Sequence, residues 1–376
     1  MSTTDAASDT SAPAHAPASV HLSDVVRPVT VAGLELSSPF VMAPMTRSFS
    51  PGGVPTEEVA AYYRRRAEHR VGLILTEGVF PDHPSAGDAP AVPRLAPWSA
   101  DGWRRVVEEV HAAGGKIFPQ LWHMGGNQPV EAAGPVHTPS GIDGRARHRG
   151  EALTTPEIDE LVQRYADSAR LAHELGFDGV EVHAAHGYLL DAFHWEVTNR
   201  RQDEYGKDLA GRTRLTTEVI AAVRAATSPD FPISVRFSQW KGEDYGARIS
   251  HSPAELEALL TPFVEAGATI LHPSTRRHWE PGFEGSELSL AGWTKKLTGL
   301  PTIVVGSVGL NTPFLERGEV GTADVGPLLE RYEGGEFDLI AVGRALLANP
   351  DWITKTAAGR FDELTPWTKD VAAKLW

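Results

Sequence analysis

Eight short apolar runs, separated by longer stretches of helical period, limit what this chain can fold into more than any other feature. They are Phe40 to Ala43, Val71 to Thr76, Lys116 to Leu121, Gly179 to His183, Ile233 to Phe237, Thr269 to His272, Thr302 to Val305 and Leu339 to Val342. Runs of this length, flanked by segments that bury one face, read as parallel strands joined by crossover helices. Trp103, Val106 and Val110 mark one such segment, and Ile158, Leu161, Val162 and Tyr165 another. Thr155-Pro156-Glu157 opens the second, because threonine caps and proline suits a first helical turn. Eight βα units without a break in composition favour an α/β fold of one domain, a (β/α)8 TIM barrel, over two doubly wound domains.

Composition narrows the class. With 376 residues and 41% hydrophobic content the chain can bury a large core, which excludes a disulfide-stapled miniature. A net charge of -14 makes it a poor grip for phosphate backbones, so nucleic acid is not an expected partner. The absence of cysteine excludes disulfides, thiolate zinc sites, iron–sulfur clusters and cysteine nucleophiles, so redox chemistry must use a bound organic cofactor. No apolar stretch is long enough to span a bilayer and no secretory pattern opens the chain, which reads as soluble and cytoplasmic. Residues 1 to about 24, rich in Ala, Ser, Thr, Pro and Asp, read as a loose tail, and residues 25–376 as the barrel.

In such a barrel, chemistry sits where strands end. The polar residues there are Thr46 after the first run, Gly78 after the second, Gln120 at the third, and His183, His186 and Tyr188 at the fourth. Arg236 closes the fifth, Gly306 and Ser307 the seventh, Gly343 and Arg344 the eighth. The last two turns, with backbone N–H groups and a planar cation, read as a phosphate cradle. His183 and His186 alone read as a core histidine beside a loop residue, as metal ligands, or as joint donors to one substrate oxygen. No further ligands complete a metal site, so none is assigned. Tyr188, protonated at neutral pH, suits a proton donor. Arg236, Gln120 and Thr46 suit the edge of a flat, imide-like ring, and a flavin with one phosphate, FMN, fits the set. No Gly-x-Gly-x-x-Gly follows a strand, so a Rossmann-type site has no support.

From about Asp24 to Asp351 the sequence resembles the old yellow enzyme family of FMN-dependent ene-reductases. The likeness rests on Ala43-Pro44-Met45-Thr46-Arg47, Gln120-Leu121-Trp122, His183-x-x-His186-Gly187-Tyr188 and Asn199-Arg200-Arg201-Gln202-Asp203-Glu204-Tyr205-Gly206. It implies that Thr46, Gly78, Gln120, Arg236, Gly306, Ser307, Gly343 and Arg344 contact FMN. It also implies that His183 and His186 hold the substrate oxygen and that Tyr188 is the proton donor. The implied reaction is hydride transfer from flavin N5 to the β-carbon of an activated alkene, with protonation at the α-carbon, net anti addition and ping-pong kinetics. NADH or NADPH would recharge the flavin.

Three departures stand out. Family members often carry Asn where His186 stands. Lys207 replaces a glycine of the Asp-Glu-Tyr-Gly-Gly pattern, removing a residue that adopts positive φ without cost. Residues 276–298 match no family motif and read either as a surface loop or as a pocket cover, with Trp279 or Phe283 lining it. Rival readings are a flavin barrel with an iron–sulfur domain, a flavin-free lyase or aldolase, and a barrel that merely sequesters FMN or another phosphorylated ligand. The first needs cysteines, the second a strand-end lysine or metal, and the third has no use for Tyr188.

Overall fold

The computed structural model describes residues 20–129, 134–311 and 320–376. Eight parallel strands build the centre: β1 (Phe40–Met42), β2 (Leu73–Pro81), β3 (Lys116–Leu121), β4 (Val180–His186), β5 (Ile233–Lys241), β6 (Ile270–Ser274), β7 (Ile303–Val305) and β8 (Leu339–Val342). Each pairs with the next. Strand β8 returns to β1 through Ile340↔Phe40, Ala341↔Val41 and Val342↔Met42, so the sheet closes on itself. Around it run α1 (Glu57–Glu68), α2 (Ala100–Ala112), α3 (Thr155–Glu174), α4 (Leu209–Ala226), α5 (Pro253–Glu265), α6 (Leu290–Thr298), α7 (Gly326–Glu333) and α8 (Arg344–Ala348). The single (β/α)8 barrel read from the sequence is the fold found.

Period-two alternation explains why the runs are apolar throughout. Phe40, Met42, Ile117, Val180, Val182, Val235, Val304 and Ile340 face outward and join the helices in one buried cluster. Val41, Leu73, Leu75, Phe118, Ile270, Ile303, Val305, Leu339 and Ala341 face inward and form a second. The hairpin Val29–Val31/Leu34–Leu36 adds Val31 and Leu36 to that inner cluster.

Several boundaries differ from the sequence reading, with β4 and β6 running on to His186 and Ser274. Strands β2 and β5 run past Thr76 and Phe237, because register shifts between Leu75 and Gly78 and between Phe237 and Lys241 let polar residues continue the pairing. Helix α3 is capped by Thr154 rather than Thr155: the Glu157 carboxylate accepts from Thr154 N and Oγ1, both at 2.7 Å. Most of the tail reading lies outside the described residues, but Leu22–Val25 is a short helix whose Leu22 and Val25 are buried. The folded part therefore includes Leu22. Among the described residues no helix is long and apolar enough to cross a membrane.

Candidate active site

The inward alternation changes from apolar to polar toward the strand C-termini. Pairing aligns Gln120, Glu181 and Ser234 in one row, and His183, Arg236 and His272 in the next. Glu181, fully buried, gathers the first row: Gln120 Nε2 donates to Oε1 at 2.8 Å and Ser234 Oγ to Oε2 at 2.8 Å. His272 Nδ1 lies 2.7 Å from Oε2. Burial opposes the charge of Glu181, but His272 and Arg236 hold its carboxyl down to about 2. A fixed anion thus sits beneath the Arg236 guanidinium.

Above this layer opens a cavity of about 520 Å³. Every strand-end residue assigned to cofactor or substrate from the sequence reaches it: Thr46, Gly78, Gln120, His183, His186, Tyr188, Arg236, Gly306, Ser307, Gly343 and Arg344 all line its wall. The two turns read as a phosphate cradle do meet, with Arg344 Nη2 3.4 Å from Ser307 Oγ. Glycine is required at Gly78, where a Cβ would stand 2.4 Å from Trp122 Cε3. It is equally required at Gly306, whose φ of +141 and 2.7 Å approach to Thr275 Oγ1 exclude a side chain.

The catalytic candidates cluster on one side. The His183 ring lies 5.1 Å from both the His186 and the Tyr188 rings. Trp122 meets Tyr188 edge-on at 5.0 Å, and Trp240 stacks on His186 at 4.4 Å. His186 Nε2 pairs with Ser274 Oγ at 2.8 Å, and the same oxygen accepts from Arg236 Nη2 at 3.2 Å. Burial, then the Arg236 charge, lowers His183 to about 3 and His186 well below its ordinary value. Both imidazoles are neutral at pH 7 and serve as hydrogen-bond partners rather than acids. Burial raises the Tyr188 phenol, which keeps its proton.

Sequence reading left several wall residues without a role, among them Trp240, Ser274, Arg276 and Trp367. Ser274 was available from the inward period Ile270, His272, Ser274. Trp367 carries no local signal: it arrives from the segment after the barrel and lies 5.5 Å beneath the Arg344 guanidinium. In residues 276–298 only Arg276 reaches the wall. Trp279 instead is 45% exposed against His278, and Phe283 packs on Trp293, so neither lines the cavity. The backbone between them turns outward through Pro281 and Gly282, bridging to Ser289 and Leu288.

Glu77, at the continuation of β2, is a second buried carboxylate. Its Oε2 accepts from Arg47 N at 2.8 Å and Ser48 N at 2.9 Å, while Oε1 has no partner among the described residues. Burial raises it to about 7. It fixes the backbone that follows Thr46.

Among the described residues the cavity wall carries Arg236, Arg276 and Arg344 and no carboxylate. Buried nitrogens at it, among them Trp122 Nε1, His183 Nδ1, Arg236 Nε and Trp367 Nε1, lack a partner among the described residues. These donors suit a large, anionic, acceptor-rich ligand, and the volume suits a cofactor. FMN fits both. Such a barrel, with that mouth, is of the flavin oxidoreductase class.

Comparison with known proteins agrees. The NADH:flavin oxidoreductase / NADH oxidase family matches residues 24–363. A putative 12-oxophytodienoate reductase 2 of Oryza sativa subsp. japonica is 32% identical over 377 residues, covering 95% of this chain and 93% of that protein. An NADH oxidase of Thermoanaerobacter brockii is 33% identical over 353 residues, 89% of this chain, and this chain spans half of its length. Among solved structures, the old yellow enzyme homologue of Zymomonas mobilis superposes with TM-score 0.77 at 26% identity, covering 93% of this chain and 96% of that one. Morphinone reductase in complex with tetrahydroNAD gives 0.76 at 28%, covering 93% of each. The chain belongs to the old yellow enzyme family of FMN-containing, NAD(P)H-dependent flavin oxidoreductases.

Proposed function

We propose that the protein is an ene-reductase that reduces α,β-unsaturated carbonyl or nitro compounds at the expense of NADH or NADPH. The observation that carries this reading is the grouping at the cavity wall of two neutral histidines and one protonated tyrosine, the His186 and Tyr188 rings each 5.1 Å from that of His183. FMN, when bound, supplies the hydride chemistry. Gln120, whose amide nitrogen is committed to Glu181, presents its carbonyl oxygen as an acceptor for an imide N–H. Thr46, Gly78 and Arg236 hold the ring system, with Arg236 offsetting negative charge on it. Gly306, Ser307, Gly343 and Arg344 hold the phosphate.

His183 and His186 donate to the substrate's carbonyl or nitro oxygen. These donors draw density from the conjugated alkene and stabilise the enolate-like charge that follows hydride addition. Tyr188 then delivers its phenolic proton to the α-carbon. Both imidazoles are held neutral at pH 7, so each offers one N–H as a hydrogen bond and the acidic proton falls to the phenol. Trp122 and Trp240 flank Tyr188 and His186 and exclude water. A cytoplasmic location suits a cysteine-free chain that draws on a nicotinamide pool.

The test is anaerobic. The FMN-loaded protein is mixed with NADPH or NADH until the flavin band bleaches, and 2-cyclohexenone is then added. Recovery of the band supports the reading; a protein that bleaches but never recovers with any enone or nitroalkene overturns it. Tyr188→Phe should bleach normally and recover roughly a hundredfold more slowly, within the usual range for loss of a general acid.

A further inference from the structure

Behind the His186–Tyr188 turn lies a pair of buried charges that the chemistry above does not use. Lys241 and Asp191 are both fully buried, and Lys241 Nζ stands 2.7 Å from each carboxylate oxygen of Asp191. Neither lines the cavity. Removing two charges from water is costly, and an apolar pair of similar shape would serve stability as well. The pair has another role.

That role is visible in the backbone it touches. His186 has φ of +65 and Gly187 φ of +83, so the turn holds a non-glycine residue in the left-handed region. Such a residue persists only where its surroundings over-determine it. Here the backbone bonds come from β5, from the helix that follows the turn, and from Asn127, whose Nδ2 donates to Gly187 O at 3.0 Å. His186 N donates to Ser238 Oγ at 2.9 Å, and Gly242 N donates to His186 O at 3.0 Å. Gly187 N, the amide between the substrate-holding histidine and the proton donor, donates to Asp191 Oδ2 at 2.7 Å. Lys241, which pairs with His186 after the β5 register shift, fixes that carboxylate and also donates to Ser238 O at 3.1 Å. His194 Nδ1, at 3.7 Å, is too far to replace it.

We propose that Lys241 and Asp191 are positioning residues that clamp the Gly187 amide and so hold His186 and Tyr188 in the relative placement the reaction needs. This rests on the ene-reductase reading for its kinetic consequence, but the clamp itself is measurable without turnover. A misplacement of about 1 Å in such a site costs roughly a hundredfold, so the clamp acts on rate although it touches no substrate.

The experiment uses the FMN-loaded full chain and compares Lys241→Met with the double variant Asp191→Leu/Lys241→Met. Hydrogen–deuterium exchange is followed at the Gly187 amide, with α3 amides as control. Thermal midpoint and flavin content are measured alongside. Lys241→Met leaves a buried carboxylate unpaired and should lower the midpoint. The double variant removes that charge and should recover most of it. If the pair is a clamp, Gly187 exchange rises at least about tenfold in both variants while α3 is unchanged. In both, recovery of the reduced flavin by 2-cyclohexenone, per bound flavin, then falls at least about tenfold while its reoxidation by oxygen changes less than about twofold. If the double variant regains parental exchange at Gly187, the pair is structural only and the proposal fails. Should the parent itself reduce no alkene, the functional reading falls while the exchange measurement still decides the clamp.

Discussion

Glu77 and Glu181 are the same residue type, buried to the same degree beside one cavity, yet their carboxyls move in opposite directions, to about 7 and about 2. Glu181 has His272, Arg236, Ser234 and Gln120 around it. Glu77 has two backbone N–H groups, an Oε1 unpartnered among the described residues and Arg47 at longer range. At Glu77 burial prevails over the few donors that oppose it, whereas at Glu181 the number and charge of the donors overcome burial. The contrast also divides the labour of the mouth. Glu181 is a permanent anion that balances Arg236, whereas Glu77 orders the backbone after Thr46 and can do so in either protonation state.

The largest expected effect breaks the first centre. Glu181→Ala leaves Arg236 without its anion, Gln120 and Ser234 without their acceptor and His272 without its partner. Loss of one member of a buried charged cluster costs about 3–5 kcal/mol, so urea denaturation should show a deficit of that size, together with weak flavin retention. Because the folded-state pKa of Glu181 is depressed, its contribution is present above the unfolded value. It is lost as pH falls from about 4.5 toward 2, and acid unfolding of the parent in that window should be blunted in Glu181→Gln.

Glu77 has the opposite sign. A raised folded-state pKa means that the protonated carboxyl suits the fold, and stability falls as pH rises from about 4.5 through about 7. Glu77→Gln keeps an acceptor for Arg47 N and Ser48 N without the charge. It should be neutral at pH 5 and more stable than the parent by about 1–2 kcal/mol at pH 8, measured as thermal midpoints at both values. Equal stability of the two proteins across that range would mean that Glu77 is ionised throughout. The smallest effect is at Ser274, the hydroxyl shared by His186 and Arg236. Ser274→Ala should weaken enone binding a few-fold through looser orientation of the His186 ring, seen in KM with kcat little changed.

The strand cores and the site residues just beyond them were legible because both are local: an apolar run predicts its own strand, and the polar residue after it must fall at the barrel mouth. The residues missed are those placed by register or by distant chain. Ser238-Gln239-Trp240-Lys241 looks like a loop in sequence and is strand because a shift in β5 carries the pairing onward. Trp240 and Lys241 were hidden by that shift, and Trp367 by its separation from the barrel. Trp279 and Phe283 erred the other way, since aromatic content in a loop after a strand says nothing about which way the loop turns.

Closure of the barrel has a consequence for the protein's birth. Phe40 on β1 takes Ile340 on β8 as its partner. At roughly 5–20 residues per second of synthesis, β1 waits on the order of a quarter to a full minute for the strand that completes its edge. Until then Val41 and its neighbours present an open, apolar edge of the kind that chaperones recognise. The nascent chain's hazard is therefore set by elongation rate rather than by the stability of the finished fold.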